Sequence, residues 1–130
     1  MSLHVDTKVR PLLPSDVISR EPEPEISREE ITLLAGAGGI RSVSVGTVMG
    51  QITASKKVVQ LDPDASDGSE NAYGVMITNA TAKDGVDAKG VAICRLATLQ
   101  RAGLIWPDGI AAGAKEAAIS ALAANMVILR

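Results

Sequence analysis

Polar and apolar residues alternate between Ser42 and Met49. Val43, Val45, Thr47 and Met49 fall on one face, with Ser42, Ser44 and Gly46 on the other, a period of two that predicts a strand over 43–52. Runs rich in Val, Ile and Thr at 57–61, 73–78 and 89–97 are bounded by turn residues and predict three more strands. Ile31, Thr32 and Leu33 predict a short one. Ser27-Arg28-Glu29-Glu30 has the spacing of a capping box, but Ile31 to Ala35 is too short an apolar segment to sustain a helix. The spacing changes near the C-terminus, where Ile119, Leu122 and Met126 recur at helical intervals within "AAGAKEAAISALAAN". That predicts one helix with Asn125 as its left-handed stop, although Ala111-Ala112-Gly113 offers no polar cap at its start. Met126 to Leu129 predicts a closing strand.

Two turn-rich stretches separate these elements. "LDPDASDGSENAYGVMI" (61–77) packs Asp, Ser and Gly ahead of an apolar run, and "AKDGVDAKG" (82–90) carries an Asp-Gly step. The first invites a calcium reading. With position one at Asp62, position six is Asp67 and position twelve is Tyr73; starting at Asp64 gives Ser69 and Val75. Both registers miss the glycine and the bidentate glutamate that make an EF-hand loop. A polar turn between strands is the better reading. "GAGGIR" lacks the glycine at 41 that a dinucleotide loop needs and has no Gly-Lys-Ser/Thr ending, and a strand rather than a helix follows it.

Composition sharpens the division of the chain. Four of the six prolines fall in the first 24 residues, and all twelve glycines from Gly36 onward. Residues 1–30 carry seven acidic and four basic side chains, and the X-Pro steps of "SREPEPEIS" oppose a helix. The expectation is an extended arm over 1–30 and a compact domain over 31–130. Tyr73 and Trp106 are the only aromatic residues, so the core must be aliphatic, and burial by oligomerisation is expected. A net charge of −2 gives no basic stripe for nucleic acid, and no apolar run reaches the length of a membrane span.

Candidate chemistry is sparse. His4 is the only histidine and lies at the extreme terminus. Cys94 is the only cysteine and sits in an apolar run without a histidine partner, which predicts a buried structural thiol and an intracellular site of synthesis. Lys56-Lys57 reads as a solvated turn. No residue set suggests a catalytic centre, a zinc site or a cofactor.

In order along the chain stand "SREEITLLAGAG", "VGTVMGQITASKKVVQLDPDASDGSENAYGVMI", "KGVAICR", "LIWPDGI" before an Ala-rich helix, and "MVILR". Together they resemble the head decoration proteins of tailed bacteriophages. The resemblance implies a mainly β, β-clip-like domain with a small α component, one C-terminal helix and an extended N-terminal arm. It implies a homotrimer on the outer surface of the expanded capsid, bound to the major capsid protein and stabilising the shell against packaged DNA. No enzyme activity, cofactor, metal or direct nucleic-acid contact is implied. The family's arm mediates attachment, which assigns capsid binding to Ile26, Ser27, Glu29, Ile31, Thr32 and Leu33. Trp106 and Pro107 are expected as a core or oligomer anchor. The alternatives are a trimeric β-clip enzyme acting on nucleotides, or a ligand-binding module of the virion surface. The first would need a metal-holding acid and a glycine-rich closing motif, whereas this sequence ends in "MVILR".

Overall fold

A computed structural model describes residues 12–130. Among them are ten strands: β1 (Ile18–Arg20), β2 (Arg28–Leu33), β3 (Arg41–Val43), β4 (Val48–Gln51), β5 (Val58–Gln60), β6 (Ala72–Met76), β7 (Ala80–Ala82), β8 (Ala88–Ile93), β9 (Ala97–Leu99) and β10 (Val127–Leu129). One long helix, α3 (Ala112–Ala124), precedes β10, and two single turns, α1 (Pro14–Val17) and α2 (Pro24–Ser27), flank β1. Five strands close a barrel in the order β2-β5-β4-β6-β8. An antiparallel β3-β7 pair and a three-stranded sheet in the order β1-β9-β10 complete the fold. The chain is mainly β with a single C-terminal helix.

The barrel depends on the β2–β8 ladder, antiparallel from Arg28 opposite Ile93 to Leu33 opposite Ala88. On its other edge β2 meets β5 through a single parallel pair, Leu33 opposite Val58, and the Leu34 amide donates to the Val58 carbonyl at 3.0 Å. Alternation along the barrel strands feeds two cores. Ile31, Leu33, Met49, Val58, Met76 and Ala92 pack together in one. Val48, Val75, Ile77 and Ile93, their neighbours in sequence, pack in a second with Leu122 of α3, Val17, Leu99, Val127 and Leu129. β4, β6 and β8 are thus apolar on both faces, which is why "GVMI" and "VAIC" are continuous rather than alternating. The largest fully buried side chains are Leu, Met, Ile and Val, as the shortage of aromatic residues requires.

Close backbone approach is set at Gly50 on β4. A Cβ there would lie 2.1 Å from the Ser69 carbonyl oxygen, so the turn over 61–71 can fold against the barrel only where no side chain intervenes.

Several expectations are corrected. The strand expected over 43–52 is two strands in different sheets, separated by a turn at Gly46 with φ +97. The one expected over 89–97 ends at Ile93, and Leu96 at φ 53 redirects the chain into β9. The left-handed stop after α3 is Met126 (φ 62), whereas Asn125 has φ −97. "SREPEPEIS" does contain a helical turn: Pro24 is at its first position, where the missing amide is not needed and the fixed φ suits the helix. The boundary at residue 30 also moves. Val17 is wholly buried, Ile18 and Arg20 pair with β9, and Arg28 already lies in the barrel. Residues 12–30 are built into the domain; the rest of the expected arm, 1–11, lies outside the described residues.

Leu33→Ala should lower stability by about 2–5 kcal/mol, because it opens a cavity where the barrel closes; urea denaturation measures it. Deleting residues 1–30 should abolish cooperative unfolding by removing half of the β2–β8 ladder, and circular dichroism melts would reveal a surviving fold.

Candidate attachment and assembly surfaces

The N-terminal segment is fastened by a carboxylate clasp. Glu21 follows β1, and its carboxylate accepts from Ser27 Oγ and from Arg28, with Nη2 at 2.7 Å and Nε at 3.0 Å. Pro22 and Pro24 hold Glu21 and Glu23 away from helical conformation, so the chain turns back and brings Ser27 and Arg28 under Glu21. The Glu21 side chain is 7% exposed. Hydrogen bonding from Arg28 holds its carboxyl below the usual value of 4.5, outweighing the opposing effect of burial. Arg95 adds a second tie, donating to the Ile26 carbonyl and to Glu29 Oε1 at 2.8 Å.

The residues assigned to attachment are separated by this arrangement. Ser27, Ile31 and Leu33 are buried within the subunit and in this conformation cannot meet a partner, because strand alternation turns Ile31 and Leu33 into the barrel. Ile26 is half exposed. Glu29 and Thr32 reach the surface, where Arg95 and Lys89 Nζ (2.7 Å to Thr32 Oγ1) contact them. Trp106 and Pro107 are partly buried; Trp106 packs against the second core, and Lys115 Nζ stands 5.2 Å from its ring centroid.

The acidic turn uses its oxygens on its own backbone. Asp62 Oδ1 accepts from the Asp64 amide at 3.1 Å, Asp67 Oδ1 from the Ser69 amide at 3.0 Å and from Ser69 Oγ, and Glu70 Oε2 from the Gly68 amide at 2.8 Å. Those bonds, the Ser69 hydroxyl first, hold the Asp67 carboxyl below its ordinary range. Gly68 has φ +108, and a Cβ there would meet Thr53 Oγ1 at 2.2 Å. Among the described residues no three His, Cys, Asp or Glu side chains are grouped to hold a metal ion. The glycine loop at 36–39 is likewise tied internally: Gly38 donates to Asp84 at 2.9 Å and Ala35 to Asp87 at 2.8 Å. Lys57, expected on a solvated turn, pairs with Asp87 at 2.8 Å. His4 lies outside the described residues.

Cys94 is buried as expected. Burial pushes its thiol up to about 11 and the neighbouring Tyr73 hydroxyl up to about 12, so at neutral pH neither ionises and the thiol is a poor nucleophile.

Sequence reasoning missed one surface. Pro22, Leu96, Ala97, Thr98, Met126 and Ile128 line a shallow apolar groove of about 390 Å³. The alternation in "MVIL" marks β10, but only the sheet order reveals that Ile128 faces outward. No described helix is long and apolar enough to cross a membrane.

The barrel, the clasped N-terminal segment and the groove over β9 and β10 define a small β module. The sequence model of the family Bacteriophage lambda head decoration protein D matches residues 7–127. The chain belongs to that family, which comprises structural components of the phage head rather than enzymes. A search of curated proteins found no match.

Glu21→Gln should lower stability at neutral pH by about 1–2 kcal/mol, the scale of one charged hydrogen bond whose arginine partner is solvent-screened. Because the folded value is depressed, this contribution is present above 4.5 and lost as pH falls through the folded value. Urea melts of wild type and variant should converge in acid. Cys94 should resist iodoacetamide at neutral pH in the native protein and react after unfolding, as intact mass would record.

Proposed function

We propose that this protein decorates and cements a phage capsid, binding the outer surface of the expanded head as trimers and resisting the pressure of packaged DNA. The observation that carries this reading is the family match, which extends from residue 7 through the barrel and α3. The architecture suits the role. A barrel buried on both faces and a clasped N-terminal segment form a stiff unit, so contacts on its exterior are transmitted rather than absorbed by local yielding. The major capsid protein is the expected partner. Attachment is assigned to residues 1–11 together with the surface positions Ile26, Glu29 and Thr32. An extended segment can add to a sheet edge of the shell, satisfying its amides and carbonyls there. Its ordering entropy must be exceeded by those contacts.

Co-sedimentation with purified shells tests the proposal. The intact protein should pellet with expanded shells and not with unexpanded ones. A variant lacking residues 1–11 should keep its circular dichroism spectrum and melt while losing most shell binding. Equal binding to both shell forms would overturn the expanded-head reading. Undiminished binding of the shortened protein would move the attachment site onto the barrel.

A further inference from the structure

We infer that the outer face of the β1-β9-β10 sheet is a contact between copies of this chain, and that it receives the acidic turn Asp62–Glu70 of a second copy. The inference rests on the reading of a self-associating shell protein and locates that association on particular residues.

Two features show that the face is built rather than incidental. Leu96 and Met126, two large apolar residues lining the groove, both have left-handed backbone, φ 53 and φ 62. Such conformations are strained for residues with a Cβ and concentrate at functional positions. The two are locked side by side: the Leu96 amide donates to the Asn125 carbonyl at 3.2 Å and the Ala97 amide to the Met126 carbonyl at 3.1 Å. Met126 is nevertheless 62% exposed and Ile128 39% exposed. At Met126 a strained backbone thus holds an apolar side chain in water beside the exposed Ile128, an arrangement that makes physical sense when another surface covers them.

Charge selects the occupant. Thr98 lies opposite Arg20 on one side and Ile128 on the other, so arginine, threonine and isoleucine form one cross-strand row. Arg101 directly follows Gln100 at the end of β9, Arg130 follows β10, and the Arg101 amide donates to the Arg130 carbonyl at 2.9 Å. All three arginines are exposed, and among the described residues none has a side-chain carboxylate partner. The opposite sign lies in the acidic turn. Asp62, Asp64, Asp67 and Glu70 fall within nine residues that contain no Lys or Arg, and none forms an ion pair among the described residues. Pro63 and Ala65, between the carboxylates, supply apolar surface for the groove. Basic face and acidic turn are different patches of one chain, so their contact is head-to-tail, the kind that closes into a ring when the rotation permits. Like charges oppose face-to-face pairing of two arginine-bearing sheets.

Charge reversal tests the contact in the full-length protein. Arg20→Glu and Asp64→Lys are exposed changes, and Asp64 makes no side-chain hydrogen bond within its turn, so each variant should keep the wild-type circular dichroism melt. Each alone should weaken self-association about tenfold or more in sedimentation velocity, and the pair should restore it to within about threefold of wild type. Ile128→Asp should dissociate the oligomer without rescue by either. Single variants that associate like wild type, or a double variant no better than the singles, would overturn the surface while leaving capsid decoration standing. A wild-type protein that stays monomeric at every concentration yet binds shells would do the same. Loss of shell binding with intact self-association would assign the face to the capsid protein instead of a second copy.

Discussion

Everything in this structure depends on barrel strands that bury both faces. β4, β6 and β8 send alternate side chains into the barrel and into the layer beneath α3. With no Phe in the chain, each core is filled by side chains that individually bury less area than an aromatic ring. Sharing one set of strands between two cores offsets that deficit, because every residue of "GVMI" removes apolar surface from water.

That economy constrains the N-terminal segment. The second core needs Val17 and Leu99 as well as α3 and β10, so the chain before β2 must return to pack under β9. The Glu21 clasp makes the return possible in few residues: two prolines force the bend, and Ser27 and Arg28 meet the carboxylate they have been turned toward. A buried carboxylate without those donors would carry a large desolvation penalty. Here the polar groups and the prolines act as one device.

Outside the barrel, the polar turns and the apolar groove use their side chains differently. The acidic turn and the glycine loop use their carboxylates and amides to hold themselves together, which explains so much oxygen in so few residues without a bound ion. The groove over β9 and β10 differs. Its left-handed Leu96 and Met126 stand where glycine or asparagine would adopt that backbone more easily, and the Met126 side chain remains exposed.

The sequence by itself determined the β class, the C-terminal helix, the aliphatic core, the buried Cys94 and the family. These follow from local periodicity, composition and ordered motifs, all carried by neighbouring residues. Tertiary structure alone decided where residues 12–30 belong, since their proline-rich composition matches an extended arm equally well whether it is free or clasped. It decided that Ile31 and Leu33 face inward, because period two names two faces without saying which meets the core. It also placed the left-handed kinks at Leu96 and Met126, positions where local preference favours Asn125. The pairing of β9 with both β1 and β10 joins segments almost eighty and thirty residues away from it, and such long-range closure lies beyond any pattern of adjacent side chains.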